Sequence, residues 1–256
     1  MKSLGILVYI LVAIQGQSAE STDDKPNTLS VPWLVHLRFT RLSLRGKLDT
    51  CVGTLYNNRW VLTAASCLME DIEGYNITSR YIWSRFDTKH VFTPGFVIES
   101  LESDVITHPQ FDPITLENNL GLLDLNRRIE FTDKIQPIAL AASDDGPPSS
   151  GRACGYGEKD GKFGEDLFCV DVTVTEADGL LIAQSSVNAS KYDFGAALVS
   201  DGKVHGILVR AADDNSAGAF LPTSKFLSWI EDVTIEKEPD SEETLEVDDN
   251  DVLVAE

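Results

Sequence analysis

Histidine is the side chain best suited to accept a proton near neutral pH, because its unperturbed pKa is about 6.5. The chain has four histidines, at positions 36, 90, 108 and 205, and they fall on separate predicted elements. A serine hydroxyl such as that of Ser190 becomes a nucleophile only when a base lies beside it. A hydrolase built from Ser190 and one of His36, His90, His108 and His205 is therefore one hypothesis for this chain.

The four cysteines, Cys51, Cys67, Cys154 and Cys169, could form two disulfides or hold one zinc ion. Zinc sites usually contain a C-x-x-C pair, and no such pair is present. We therefore expect no metal, no cofactor and two disulfides, for which three pairings are open. Disulfides persist in oxidising compartments, which favours a secreted protein.

The segments that must position these residues are short and apolar, and turn-forming residues separate them. The strand candidates are Trp33–Leu37, Cys51–Tyr56, Arg59–Ala64, Asn119–Leu125, Phe168–Thr175, Gly195–Val199, Lys203–Arg210 and Gly218–Phe220. Many short strands with regular turn signals predict an all-β sandwich or barrel.

One helix is predicted near the end of the chain, where Ser224 can serve as its N-cap. The apolar residues at helical spacing are Phe226, Leu227, Ile230 and Val233. From 231 to 256 the chain holds twelve acidic residues and one lysine. Because such a segment repels itself, we predict a disordered acidic tail over 236–256, which serves solubility or binds a basic partner.

The start of the chain has the pattern of a secretory signal. Lys2 precedes an apolar run over residues 4–14 and then small residues, which predicts a signal peptide over 1–19. The run is shorter than the roughly 20 residues that span a bilayer, so we expect a secreted, extracellular protein. Two N-x-[S/T] triplets, at Asn76 and Asn188, are candidate glycosylation sites.

The balance of charges excludes some classes of partner. The formal net charge is -20 at pH 7. Nucleic-acid binding needs clustered lysine and arginine, and anionic membranes attract the same residues. We therefore expect neither nucleic acid nor a membrane as partner.

Two segments carry a family resemblance. CVGTL at 51–55, followed by WVLTAASC at 60–67, resembles the signature CGGSL … WVLTAAHC of the chymotrypsin (trypsin, S1) family of serine proteases. Ser66 stands at the position of that family's catalytic histidine. The resemblance implies an all-β fold of two six-stranded antiparallel Greek-key barrels of the chymotrypsin type with a C-terminal helix, over residues 20–235.

Two further blocks extend the resemblance. In ENNLGLL at 117–123, which is similar to the family's NDIALL region, Asn119 replaces the aspartate. In YDFGAALV at 192–199, which resembles GDSGGPLV, Phe194 replaces the nucleophilic serine. Acyl transfer in this family needs a hydroxyl, an imidazole and a carboxylate, so we expect no serine endopeptidase activity.

The resemblance also implies a degenerate substrate cleft. Tyr192 stands where a glycine amide forms part of the oxyanion hole, Asn188 lies at the floor of the specificity pocket, and Arg210 lies in its wall. Asp193, which binds the new N-terminus of an activated protease, is retained. An amine freed near Glu20 by signal removal is one hypothesis for its partner.

The resemblance narrows the disulfide pairing and the function. It implies a Cys51–Cys67 bridge, which leaves Cys154 to pair with Cys169 on a neighbouring strand. It also implies a non-catalytic homologue, typical of arthropods, that binds other secreted proteins as a cofactor, decoy or regulator in immunity, venom or reproductive fluid. Its partners would be active proteases, inhibitors or a basic partner of the tail. The alternatives are a hydrolase with a relocated active site and an abundant storage or structural secretion.

Overall fold

The structure is a computed structural model that describes residues 30–41, 47–72, 75–79, 81–185, 189–211 and 218–236. Its strands and helices, in chain order, are β1 Leu34–Arg41, β2 Lys47–Leu55, β3 Trp60–Thr63, α1 Ala65–Leu68, β4 Met69–Ile72, β5 Tyr75–Thr78, β6 Tyr81–Phe86, β7 Phe96–Leu101, β8 Val105–Thr107, β9 Gly121–Asp124, β10 Ala139–Leu140, β11 Ser150–Gly155, β12 Glu158–Lys159, β13 Lys162–Phe163, β14 Phe168–Ala177, β15 Leu180–Gln184, β16 Ala197–Ser200, β17 Lys203–Arg210, β18 Gly218–Pro222 and α2 Leu227–Glu236.

Two large sheets form the molecule. The first has the order β7-β6-β1-β2-β3-β9-β8 and curves into a half-barrel. The second has the order β10-β17-β16-β11-β14-β15-β18, and a further pairing of β17 with β18 closes six of its strands into a barrel. The predicted two-barrel, mostly β fold with a C-terminal helix is thus confirmed.

The burial of the strands follows their position in the sheets. β3 and β9 lie inside the first sheet and are buried along their whole length. β7 lies at its edge and alternates exposed and buried residues, as expected of a strand with one face towards solvent. Two large apolar cores result. The first lies mostly within the first sheet and extends to α2 through Phe226 and Ile230, and the second lies mostly within the second sheet.

The last helix begins later than its predicted cap. A 3-10 turn occupies Thr223–Phe226, and α2 follows directly, so Ser224 lies within the turn and not at a helix N-cap. The Thr223 hydroxyl donates to the carbonyl of Val204 at 3.0 Å, which ties the turn to β17. The prediction of Ser224 as N-cap was wrong because a tertiary contact, not a local cap, starts this segment.

Several predictions concern residues outside the described ranges. The signal peptide over 1–19, Asn188 and residues 237–256 of the acidic tail lie there. Residue 236 is the last residue of α2. Among the described residues, no helix is long and apolar enough to cross a membrane.

Candidate functional site

Ser66 and Asn119 are brought together by the pairing of β3 with β9. Ser66 lies in α1 just after β3, Asn119 lies two residues before β9, and Thr63 is paired with Gly121. The backbone amide of Ser66 donates to Asn119 Oδ1 at 2.8 Å, and Asn119 Nδ2 lies 3.0 Å from Ser66 Oγ. Asn119 is fully buried. Its amide group is therefore occupied by the very residue that replaces a histidine in the family pattern.

Arg41 secures the other side of Ser66. Its Nη2 donates to the carbonyl of Ser66 at 2.7 Å, and its Nε forms an ion pair with Asp49 at 3.0 Å. Arg41 could not be identified from the sequence, since a cation in a strand is expected to point to solvent. The signal that would find it is the spatial pairing of β1 with β2, which places Arg41 near the end of both strands.

Phe194 stands between the two cores. It follows a 3-10 turn at Lys191–Asp193, and its carbonyl accepts a hydrogen bond from the amide of Val52 at 2.9 Å. Its half-buried side chain packs against the apolar clusters of both halves of the molecule. The same carbonyl lies 3.6 Å from the sulfur of Cys67, the neighbour of Ser66. Ser66 and Asn119 therefore contact each other directly, and the backbone of Phe194 lies beside Cys67, the neighbour of Ser66.

The glycine after Phe194 fixes this arrangement. Gly195 has a φ of +85°, a conformation that residues with a side chain rarely adopt. A Cβ atom at this position would collide with the carbonyl of Val52 and the hydroxyl of Thr63. The turn is thus pressed against the first sheet.

Two backbone amides that would form an oxyanion hole are used within the turn. The amide of Tyr192 donates to the hydroxyl of Ser190 at 3.1 Å, and that of Phe194 donates to the carbonyl of Lys191 at 3.4 Å. An oxyanion hole needs such amides directed at the developing charge of the substrate. The Tyr192 hydroxyl also donates to the carbonyl of Gly161 at 3.1 Å, which anchors the side chain away from the turn.

Asp193 is buried beside the second core, and two backbone amides hold its carboxylate. Oδ1 accepts from the amide of Tyr156 at 2.7 Å and Oδ2 from the amide of Gly157 at 2.8 Å. Burial nevertheless raises the pKa of Asp193 to about 6, although these two hydrogen bonds lower it. Residue 20, the hypothetical source of an amine for Asp193, lies outside the described ranges.

The remaining cleft positions do not join this cluster. Arg210 is exposed at the end of β17, and no described hydrogen bond or ion pair links it to Tyr192 or Phe194. Asn76 lies in β5, but its side chain is not among the described ones. The glycosylation of Asn76 and Asn188 stays a prediction.

Both predicted disulfides are present. Cys51 is bonded to Cys67, and Cys154 is bonded to Cys169. The second bridge joins residues that lie directly opposite each other on β11 and β14. Within the described part of the chain no cysteine is free, and no group of three or more histidine, cysteine, aspartate or glutamate side chains could hold a metal ion.

The four histidines have separate environments. His36 is buried against the ring of Tyr156, while His108 packs edge-on against Phe226. The hydroxyl of Ser190 accepts from the amide of Tyr192. No described contact joins Ser190 to His36, His90, His108 or His205, so a relocated hydrolase centre gains no geometric support.

Comparisons with known proteins agree with this fold. The family model described as Trypsin matches residues 21–230. The mouse (Mus musculus) kallikrein 1-related peptidase b27 is 28% identical over 244 residues, which cover 82% of this chain and 87% of the relative. A solved structure titled GrC has a TM-score of 0.68 at 23% identity and covers 80% of this chain and 94% of its own. A scabies mite inactivated protease paralogue, S-D1, has a TM-score of 0.67 at 19% identity, with 81% and 94% covered.

Proposed function

Because the chain belongs to the trypsin family of serine proteases, we propose that it is a member without peptidase activity that acts by binding other secreted proteins. The partners we propose are active proteases, inhibitors or a basic partner of the acidic tail. The setting is extracellular, which the two disulfides and the predicted signal peptide support.

The observation that carries the proposal is the reciprocal contact between Ser66 and Asn119. A serine protease needs an imidazole that takes a proton from a hydroxyl and a carboxylate that orients the imidazole. Here a hydroxyl and a carboxamide satisfy each other at 2.8 and 3.0 Å. Neither group titrates near neutral pH, and phenylalanine has no nucleophilic atom.

The engaged turn amides support the same conclusion. Removal of one oxyanion donor alone costs about 10² to 10³ in kcat in a working protease. The amides of Tyr192 and Phe194 both have acceptors within the protein. A substrate carbonyl would have to break these contacts before it could be stabilised.

The scabies mite neighbour gives a precedent for the fold. It is described as an inactivated protease paralogue, and at 19% identity its likeness concerns the fold alone. Inactivity and an arthropod origin are carried over to this chain as parts of the proposal.

The first test is chemical. The full chain is incubated with a fluorophosphonate probe and with fluorogenic peptide substrates, beside an active trypsin-family protease. We expect neither labelling nor hydrolysis above the uncatalysed rate. Labelling of the natural chain, abolished by Ser190→Ala, would instead establish a relocated active site.

The second test concerns binding. The tagged full chain captures partners from native fluid, in parallel with a variant whose nine acidic residues in 238–256 are replaced by their amides. A stoichiometric partner in both captures would place the interaction on the barrels, and one lost with the charges would place it on the tail. The absence of a partner in both would overturn the binding function and favour a storage protein.

A further inference from the structure

The face of the first sheet on which His36 packs against Tyr156 carries three polar side chains that lie next to one another. His36 and Arg38 are two residues apart on β1 and therefore point to the same side. Arg85 lies on β6 directly opposite His36 in the antiparallel register. Arg85 Nη1 and His36 Nδ1 are 3.3 Å apart. The three side chains are called the His36–Arg38–Arg85 cluster below.

Two members of this cluster, His36 and Arg38, hold buried hydrogen-bond donors without acceptors. Arginine can only donate, so His36 Nδ1 must accept from Arg85 and the proton of the neutral ring lies on Nε2. His36 Nε2 and Arg38 Nε are both buried, and neither has a hydrogen-bond partner. Arg85 is only 8% exposed. Among the described residues, no ion pair joins Arg38 or Arg85 to a carboxylate.

Such an arrangement is energetically unfavourable without a ligand. Buried charges in proteins are normally paired, because removal of an unpaired ion from water is costly. Two guanidinium groups also repel each other, and burial and the charge of Arg38 both lower the pKa of Arg85. Burial and the two arginines lower the pKa of His36 to about 3, so the imidazole is neutral at pH 7 and adds a donor without adding charge. The complementary group is an anion rich in acceptors.

The rim of the cluster indicates what kind of molecule carries that anion. Trp83 is paired with Arg38 across β1 and β6, and its ring is stacked with that of Tyr81 at 6.3 Å between centroids. Leu101 lies opposite Tyr81 on β7 and is 48% exposed. Glu99, the acidic residue opposite Trp83, accepts from the indole Nε1 at 2.8 Å. The aromatic rings and Leu101, beside cations that have no carboxylate partner, suit a peptide with alternating acidic and apolar side chains, while Glu99 is held by the indole of Trp83.

We propose that the His36–Arg38–Arg85 cluster binds the carboxylate of an acidic peptide segment that lies over Tyr81 and Trp83. The charge complementarity is local, since the chain as a whole carries a net charge of -20. The inference rests on the proposed function, because it assumes that the ligand is a segment of a protein. The peptide test below gives its result independently of the assays for catalysis and partner capture.

The test uses the full chain and a short peptide. The probe is acetylated and amidated Leu-Glu-Val-Asp-Asp, and the matched control is Leu-Gln-Val-Asn-Asn. Affinity is measured by calorimetric titration, and the Nε–Hε signals of the arginines are followed by NMR. We expect the acidic peptide to bind at least about tenfold more tightly than the amide peptide, and Arg38→Gln to remove that difference. Arg152→Gln, which removes an exposed arginine paired with Asp171, is expected to leave it unchanged.

The chain's own acidic residues could compete for the cluster at an effective concentration in the millimolar range. The titration is therefore repeated with the variant in which the nine acids of 238–256 are amides. Binding of the acidic peptide to this variant alone would support the site and identify the tail as its occupant. Equal affinity for the two peptides in both chains would overturn the proposal, as would binding that Arg38→Gln does not weaken. Because Arg38 is only half-buried, this variant is expected to fold even where Arg85→Gln does not.

Discussion

The amide of Ser66 and the carboxamide of Asn119 form a closed pair, with contacts of 2.8 Å and 3.0 Å in opposite directions. The pair joins α1 to the segment before β9 across 53 positions of the sequence. In an active member of the family, the residue at the Asn119 position would orient an imidazole. Here Asn119 holds the backbone of α1 at Ser66, so the pair has a structural role.

The first prediction concerns this pair. Asn119→Ala leaves the Ser66 amide without its acceptor and empties a fully buried site. We expect a loss of about 1–3 kcal/mol in the free energy of unfolding, measured by urea denaturation. Ser66→Ala keeps the backbone contact and is expected to cost less, about 1 kcal/mol. Equal losses for the two variants would contradict the role given to the backbone amide.

The second prediction concerns a restored triad. The triple variant Ser66→His, Asn119→Asp, Phe194→Ser is expected to remain at least about a thousandfold below an active trypsin-family protease in kcat/KM on fluorogenic peptides. The reason is that the amides of Tyr192 and Phe194 are engaged within the turn, and each lost oxyanion donor costs about 10² to 10³. Activity within tenfold of the active protease would show that the turn rearranges freely.

A fourth substitution provides the matched comparison. Tyr192→Gly added to the triple variant removes the side chain that is anchored on Gly161 and relaxes the backbone. We expect this variant to exceed the triple variant in kcat/KM. No gain would place the remaining defect elsewhere in the cleft.

The sequence predicted those features that depend on local patterns or on motif residues. The motif segments 51–55 and 60–67 predicted the first disulfide and the position of Ser66, and the block at 117–123 predicted that of Asn119. β17 was predicted residue by residue at Lys203–Arg210. β6 and β7 were missed. Their polar and charged residues interrupt the apolar run that marks a strand, and only the pairing in the sheet accounts for them.

What the sequence could not predict is contact between distant residues. Arg85 is buried where β6 pairs with β1, and its partner His36 packs against the ring of Tyr156. The acceptor for the Tyr192 amide depends on how the turn folds onto Ser190. From strand alternation alone, Arg85 is expected to be a cation that faces solvent. From the motif alone, the Tyr192 amide is expected to be free.

The third prediction concerns pH. Burial raises the pKa of Asp193 to about 6, from an ordinary value of 3.8. The folded state therefore binds this proton more tightly than the unfolded state, and the contribution of Asp193 to stability falls as the pH rises from about 4 to about 6. A shift of about two pKa units corresponds to about 3 kcal/mol as an upper limit.

The measurement compares the natural chain with Asp193→Asn over that pH range. Asparagine does not titrate. The free energy of unfolding of the natural chain minus that of Asp193→Asn is therefore expected to fall as the pH rises from 4 to 6. Asp201→Asn, at an exposed position, serves as the control and is expected to give no such change. A difference that is constant or grows with pH would contradict the raised pKa.

The fourth prediction separates the two disulfides. Cys154→Ala with Cys169→Ala opens a loop of 15 residues, and we expect a loss of about 3 kcal/mol in the free energy of unfolding. Cys51→Ala with Cys67→Ala opens a loop of similar length, 16 residues, but both cysteines are buried in the first core, and the Cys67 sulfur lies beside the carbonyl of Phe194. Loss of buried volume adds to the loss of the cross-link, so this variant is expected to be the less stable of the two by about 1–2 kcal/mol. Denaturation of both variants under identical conditions checks the order, and the reverse order would mean that the second barrel depends more on its bridge than its packing indicates.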